Sequence, residues 1–256
     1  MAKIISLINQ KGGCGKTTSC YNLAAAFAEK GCRVLMIDND PQGSLTLYCG
    51  FDPAAFEHTV DQLYLGKAKA SDAVYSTKIG NLFLIPANIR LSKIEAALGE
   101  LGEEGWNYLQ KAMSPVSDTF DFLFIDDPPS LSMLMMNSLF CSDFALIPCQ
   151  ASPLCTLGLD TLFETLERTR PLMPNLKVLG ILATIYRKAV KIFREELEQM
   201  EENYTVLGVI KESADIIKSV SLGLPVIKYN RNSEVSRQYL AAAEEILGMV
   251  EGKIQR

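Results

Sequence analysis

The sequence has a single histidine, His58, among its 256 residues. Nucleophilic catalysis by serine or cysteine ordinarily depends on a histidine base held beside the nucleophile. His58 lies in a segment without clear periodicity, so the sequence gives little support for a hydrolase of the Ser-His-Asp or Cys-His type.

The cysteines are too scattered to indicate a disulfide framework or a metal site. Seven are present, which is an odd number, and no two form a C-x-x-C pair. This spacing is typical of reduced thiols in a cytosolic protein. The cysteines occupy positions 14, 20, 32, 49, 141, 149 and 155.

Long apolar runs and an excess of basic residues are also missing. No run approaches the roughly 20 residues that a membrane-spanning helix needs, and the first residues, MAKIISLINQKGG, lack the cleavage site of an export signal. The net charge of −5 and the isoelectric point near 5.1 argue against a protein whose whole surface binds nucleic acid. We therefore expect a cytoplasmic protein, on which a local basic patch is still allowed.

Short apolar runs alternate with helical patterns along the chain. Runs that are apolar on both faces are typical of parallel strands covered by helices on both sides. Residues 20–27 repeat apolar positions at helical spacing, and Gly31 stands where that helix would end. We predict one α/β domain over residues 1–256, with a doubly wound, mostly parallel sheet and helices on both faces. The predicted strands are 4–9, 33–38, 82–87, 122–126, 145–148, 178–184 and 206–210, whereas residues 50–80 are hard to assign.

A glycine-rich stretch, NQKGGCGKTT at residues 9–18, follows the first predicted strand. It matches most of the phosphate-binding pattern G-x-x-x-x-G-K-[ST], in which backbone N–H groups and a helix N-terminus hold the phosphates. Gln10 takes the place of the first glycine, so the motif is a variant. Lys16 is expected to reach the β- and γ-phosphates, and Thr17 to bind Mg²⁺. The predicted nucleotide-binding residues are Lys11, Gly12, Gly13, Cys14, Gly15, Lys16, Thr17 and Thr18.

The stretch contains a second lysine, Lys11, which a plain phosphate-binding loop does not need. Lys11 enters before the loop wraps around the phosphates, so it cannot easily reach those held by its own chain. A cation supplied by a second subunit would neutralise charge on the γ-phosphate during its transfer. The alternative is an ordinary surface lysine.

Acidic residues follow two predicted strands at the edge where α/β proteins bind ligands. Asp38 ends one strand and Asp40 follows it; one can hold Mg²⁺-bound water and the other orient the attacking water, unless Asp38 merely caps a turn. Asp126 ends the strand FLFID and is a candidate Mg²⁺ residue. Asp127 receives no role, and Ser130 is predicted to cap the next helix.

The segment KGGCGKTT resembles the deviant Walker A motif of the ParA/MinD family of P-loop ATPases, most closely the short, Soj-like ParA proteins. Four further blocks extend the resemblance over nearly the whole chain: IDNDPQGSLT at 37–46, LIPANIRLSKIEAAL at 84–98, FDFLFIDDPPSLSMLMMNSL at 120–139 and SLGLPVIKY at 221–229. The resemblance implies a single P-loop ATPase domain that uses ATP and Mg²⁺.

The resemblance also implies roles for individual residues. Lys11 matches the signature lysine, which contacts nucleotide across an ATP-bound homodimer, and Asp40 matches the aspartate that acts in hydrolysis. We accordingly predict catalytic roles for Lys11, Lys16 and Asp40, and an Mg²⁺ site formed by Thr17, Asp40 and Asp126.

The resemblance to Soj-like proteins implies an ATP-dependent switch for DNA partition. Such a switch binds DNA non-specifically when it holds ATP, and it is released when a ParB-like partner stimulates hydrolysis. Such a protein would associate with the nucleoid. Here IKE at 210–212 replaces the usual isoleucine-proline-arginine, and Asp215 stands near another customary basic position; a solvated helix face is the alternative. The candidate DNA contacts are Arg187, Lys188, Lys191, Arg194 and Lys218, which Lys211 and Lys228 would extend.

Four other functions remain open. The switch could position a cargo other than DNA. It could cycle on membranes as MinD does, although the C-terminal EILGMVEGKIQR is interrupted by Gly248 and Gly252 and does not form a basic amphipathic anchor. The fold also carries iron–sulfur reductases and small-molecule ligases; the first would require cysteines such as Cys141, Cys149 or Cys155 at a dimer axis.

Overall fold

The computed structural model describes residues 1–254, and its centre is one eight-stranded sheet. The strands are β1 (Lys3–Leu7), β2 (Val34–Asp38), β3 (Tyr75–Ser76), β4 (Leu82–Ile85), β5 (Phe122–Asp126), β6 (Phe144–Gln150), β7 (Lys177–Tyr186) and β8 (Val206–Lys211). All seven predicted strands are confirmed. The two-residue strand β3 was not predicted.

The strand order is β3-β4-β2-β5-β1-β6-β7-β8. Neighbouring strands are parallel except β3, which pairs antiparallel with β4. Strands β2 to β5 lie on one side of β1, and β6, β7 and β8 lie on the other. The carboxyl ends on either side of this reversal therefore open onto a crevice, where α/β proteins bind ligands.

Helices cover both faces of the sheet, as predicted. They are α1 (Lys16–Glu29), α2 (Ser44–Tyr48), α3 (Val60–Tyr64), α4 (Leu91–Leu101), α5 (Tyr108–Met113), α6 (Met133–Cys141), α7 (Pro153–Thr169), α8 (Lys191–Asn203), α9 (Ala214–Ser221), α10 (Val226–Tyr229) and α11 (Glu234–Val250). Short 3₁₀ segments lie at Pro53–Ala55, Ala70–Ala73, Gly102–Asn107, Ser114–Thr119 and Arg170–Leu172. Within the described residues, no helix is both long and apolar enough to span a membrane.

The apolar core has two sides. On one face α1 and α11 pack together, and Phe27 of α1 makes edge-to-face contacts with Phe122 and Phe124 of β5. On the other face, α3 to α6 cover β2, β4 and β5, while α7 and α8 cover β6 and β7. Buried strands on both faces explain why the strand segments read as continuous apolar runs.

Two local predictions are wrong. The helix after β5 begins at Met133 and is capped by Ser132, whose hydroxyl accepts from the Met135 N–H at 3.4 Å, so Ser130 is not the cap. At the C-terminus, α11 runs through Gly248 and ends at Val250. Tertiary packing of α11 against α1 and β8 outweighs the low helix propensity of that glycine. Arg256 lies outside the described residues.

Candidate nucleotide-binding site

The loop between β1 and α1 has the backbone shape that its glycines permit. Gly13 and Gly15 adopt positive φ angles of +73° and +85°, which L-residues with a side chain rarely adopt. A Cβ on Gly15 would also lie 3.4 Å from the Thr184 side chain. The Thr184 hydroxyl in turn donates to the Cys14 carbonyl at 2.7 Å. The loop is thus held from β7 as well as by its own helix.

Lys16 lies inside the loop rather than in solvent. Its side chain is 7% exposed, and its ammonium donates to the carbonyls of Asn9 at 3.0 Å and Lys11 at 3.3 Å. The ammonium is therefore held at the mouth of the loop, ahead of the N-terminus of α1, where phosphates bind.

Asn9 positions the start of the loop, and the sequence analysis missed it. Its amide donates to the Pro148 carbonyl of β6 at 2.8 Å, and its Oδ1 accepts from the Lys11 N–H at 3.0 Å. The residue is 4% exposed. A polar residue directly after a buried strand was the available signal, but nothing in the sequence identified its partner on β6.

Lys11 is half-buried and lies beside the first turn of α7. A hydrogen bond with the Cys149 thiol lowers the pKa of Cys155 to about 5, assisted by Ser152 and by the Lys11 ammonium. Burial raises the pKa of Cys14 in the loop. Cys155 therefore lies beside Lys11, and the Cys14 thiol lies 4.0 Å from the Lys16 ammonium, although no group of His, Cys, Asp and Glu within residues 1–254 is arranged to hold a metal ion.

Asp126 is the strongest candidate for an Mg²⁺ residue. It is 1% exposed, and neither carboxylate oxygen has a geometric hydrogen bond among the described residues, although Thr17 lies beside it. Burial, and then the neighbouring Asp38, raise the pKa of its carboxyl. A carboxylate without a hydrogen-bond partner next to a threonine hydroxyl suits a hard cation such as Mg²⁺, because water and phosphate supply most of the ligands of that ion. The donor set therefore suits Mg²⁺.

Asp38 shapes the loop that carries Asp40. Its Oδ2 accepts from the Thr46 N–H at 2.8 Å and hydroxyl at 2.7 Å, and its Oδ1 accepts from the Asp40 N–H at 3.3 Å. Asp38 was interpreted either as a residue that orients water at the site or as a cap of a turn. These contacts are those of a turn cap. Asp40 is half-buried, and its carboxylate accepts from the Gln42 N–H at 2.9 Å.

The glycine loop opens into a cleft of about 520 Å³, which Lys16, Thr17 and Asp40 line. The glycine loop, Asp40 and Pro129 form one end, while β7, β8 and α9 form the other. Ile185 in this second part has a φ of +52°, which is rare for a β-branched residue. Backbone strain of this kind is concentrated at binding sites, and no sequence signal pointed to it.

The candidate DNA contacts lie along one end of β7 and α8 and on α9. Arg187 forms two charged hydrogen bonds with Glu212, both at 2.6 Å, and Lys191 pairs with Glu195 at 2.9 Å. Arg194 donates to the Lys188 carbonyl at 2.9 Å. Of the remaining candidates, Lys211 pairs with Glu234 and Lys228 with Glu29. Acidic partners thus occupy much of this basic surface.

The cysteines considered for an iron–sulfur cluster lie in separate parts of the core. Cys141 belongs to the core around α4 to α6, whereas Cys149 and Cys155 belong to the core under α7.

The chain was compared with known protein families and proteins. A family model described as AAA domain matches residues 2–178. The chromosome-partitioning ATPase Soj of Treponema pallidum is 36% identical over 253 residues, which cover 96% of this chain and 98% of that protein.

Solved structures resemble the whole chain. A cobyrinic acid a,c-diamide synthase from Mycobacterium smegmatis, solved with a bound ATP analogue and magnesium, is 30% identical with a TM-score of 0.84, covering 99% of this chain and 98% of its own. The cell division ATPase MinD of Pyrococcus furiosus is 26% identical with a TM-score of 0.81, covering 97% of this chain and 100% of its own. Taken with the variant phosphate-binding loop and the parallel sheet, these matches show that the chain belongs to the ParA/MinD family of P-loop ATPases, close to the Soj-like partition proteins.

Proposed function

We propose that this ATPase is a dimerising switch for DNA partition. ATP closes a homodimer that binds DNA non-specifically, and a ParB-like activator stimulates hydrolysis and release. Residues 1–256 act as one ATPase domain, in which the 11–18 loop holds the phosphates and Thr17, Asp40 and Asp126 hold Mg²⁺. Bound Mg²⁺ would neutralise negative charge on the β- and γ-phosphates.

The observation that carries the proposal is the buried Asp126 carboxylate beside Thr17, at the mouth of a loop with two lysines. A buried carboxyl whose oxygens lack hydrogen-bond partners is costly, so a protein retains it where a ligand supplies the partner. Lys16 is already directed into the loop. Lys11 lies beside α7 instead, which supports a role toward the nucleotide of a second subunit.

The two lysines give separable predictions. Lys16→Ala removes the ammonium at the mouth of the loop, so we expect nucleotide binding to fall at least about tenfold, the equivalent of one charged hydrogen bond. Lys11→Ala should leave nucleotide binding by the monomer within about threefold but block ATP-dependent dimerisation or stimulated turnover. Fluorescent-nucleotide titration and light scattering measure the two effects. Stimulated turnover at the wild-type rate in Lys11→Ala would contradict the trans role.

DNA binding is tested by retention on immobilised DNA at two salt concentrations, with ATP, with ADP and without nucleotide. We expect retention with ATP alone, weakened by salt because each basic contact releases counterions. Retention that ignores the nucleotide would contradict the switch. Asp40→Ala, expected to prevent hydrolysis, should prolong retention with ATP.

Two alternatives have their own tests. ATP-dependent sedimentation with anionic liposomes would favour a MinD-like membrane cycle, and a purified activator that releases a cargo other than DNA would favour cargo positioning. The likeness to the diamide synthase favours a small-molecule ligase as the second candidate. ATP turnover that needs neither DNA nor an activator but requires a carboxylic acid substrate and an amine donor would favour the ligase.

A further inference from the structure

Asn39 and Asp127 occupy matching positions at the carboxyl edge of the sheet. Each directly follows a strand, β2 or β5, whose last residues, Asp38 and Asp126, are paired in the parallel register. The pairing continues one step beyond the strands, because the Asn39 N–H donates to the Asp126 carbonyl at 2.9 Å. The loop that carries Asp40 and the loop that follows Asp126 thus leave the sheet side by side.

A side-chain hydrogen bond joins the same two loops. The Asn39 amide Nδ2 donates to Asp127 Oδ1 at 3.0 Å, and the Ser138 hydroxyl of α6 donates to the same oxygen at 2.5 Å. Asn39 Nδ2 also lies 3.0 Å from the Leu134 carbonyl. The Tyr64 hydroxyl of α3 completes the group by donating to Asn39 Oδ1 at 3.0 Å.

The group is buried, with Asn39 0% and Asp127 1% exposed. Burying a carboxyl and an amide costs free energy that hydrogen bonds at best offset, and an apolar pair of similar size would usually be no less stable. Apolar contacts are not directional, whereas a hydrogen bond fixes the relative position of its two partners. The second carboxylate oxygen of Asp127 has no partner among residues 1–254, so the pair is not optimised for stability.

We propose that Asn39 and Asp127 are positioning residues for ATP hydrolysis: their hydrogen bond holds the loop that carries Asp40 in register with the end of β5, where Asp126 lies. The inference rests on the proposed roles of Asp40 and Asp126. Asp127 also lines the nucleotide cleft, whereas Asn39 does not. Because hydrolysis needs both loops in place at once, whereas phosphate binding depends mainly on the glycine loop, the pair acts on turnover more than on nucleotide affinity.

The test compares turnover with nucleotide affinity in purified full-length variants. Asn39→Ala and Asp127→Ala each remove the bond between the loops, and each should lower kcat roughly 10- to 100-fold, as small displacements of catalytic groups do. The dissociation constant for ATP should change less than about threefold, well under one charged hydrogen bond. The double variant should be no slower than the slower single variant, because both changes break one interaction.

Two controls separate positioning from stability. Asp127→Asn keeps an oxygen that accepts from Asn39 and Ser138, so it should retain kcat within about threefold, less than the loss of one hydrogen bond. Asn137→Ala removes a fully buried asparagine on α6 whose amide donates to the Gly105 carbonyl at 2.7 Å and whose Oδ1 accepts from the Leu109 N–H at 3.1 Å, so it breaks buried hydrogen bonds outside the group around Asn39. It should lower the unfolding midpoint without lowering kcat per folded molecule.

Unchanged kcat in folded Asn39→Ala and Asp127→Ala would overturn the inference while leaving the ATPase function intact. A kcat that falls equally in Asn137→Ala, or a matching loss of ATP affinity in the pair variants, would overturn it as well. If Asp127→Ala does not fold, Asn39→Ala breaks the same bond from the other loop and decides the question. Wild-type protein without ATP turnover would instead refute the proposed function, and the inference with it.

Discussion

Asp38, a fully buried carboxyl, sets how the stability of the nucleotide-free protein should depend on pH. Burial raises the pKa of its carboxyl from 3.8 to about 7, although hydrogen bonds from Thr46 oppose the shift. A carboxyl with a higher pKa in the folded than in the unfolded protein contributes stability at low pH, and this contribution is lost as the pH rises through the folded value. We therefore expect the free energy of unfolding to fall between pH 4 and 7, by up to about 4 kcal/mol.

Denaturant unfolding at pH 5 and pH 8 measures this slope. Asp38→Asn should reduce the decline, because the amide does not ionise; Asp126 and Asp127, whose pKa values burial also raises, keep part of it. A decline of the same size in wild type and Asp38→Asn would contradict the assignment.

At the scale of elements, the strand-to-helix turn at Gly15 gives the sharpest expectation. Gly15→Ala would place a side chain at a φ of +85° and against Thr184. The left-handed conformation alone costs roughly 1–2 kcal/mol, so we expect lower stability together with a loss of nucleotide binding. Gly80→Ala is the matched control, because no atom lies within 4 Å of the added Cβ. Nucleotide titration and thermal unfolding of both variants test this, and wild-type affinity in Gly15→Ala would contradict it.

The sequence predicts well those elements whose signal lies within a short stretch of the chain. Seven strands lie in a sheet buried on both faces, so their apolar runs stand out, and positive φ angles at Gly13 and Gly15 agree with the loop motif. Strand β3 escaped prediction because two residues carry no periodicity. The cap of α6 was misplaced because Ser130 and Ser132 both fit an N-cap.

The parts of the site that could not be predicted depend on distant contacts. Asn9 bonds to Pro148, and Asn39 to Asp127, across 139 and 88 positions of the chain. The sequence identified Lys16, Asp40 and Asp126 from motifs, but their roles remain predictions. Asp127, to which the sequence gave no role, lies in a buried network that only the folded chain assembles.

At the scale of the whole molecule, the net charge is −5, so any attraction to DNA must come from a local basic patch rather than from the overall charge. Glu212 occupies Arg187 through two hydrogen bonds, so Arg187 is not free to contact phosphate. Glu212→Gln should weaken this pairing and strengthen ATP-dependent DNA retention, with the salt slope steeper by about one unit for one added phosphate contact. Retention across a salt series measures it, and Glu195→Gln, which frees the candidate contact Lys191, is a second variant for comparison. No change in either variant would place the DNA contacts elsewhere.

The central position of β1 also governs when the site can exist during synthesis. A ribosome releases β1 and the glycine loop long before β5, which begins at Phe122, and β6, which begins at Phe144. Among the described residues, β1 pairs with these two strands and with no other, so its first partner emerges only with β5 and its second only with β6. A polypeptide stalled before residue 144 would therefore carry every lysine of the loop and yet lack the side of the cleft that β7, β8 and α9 form.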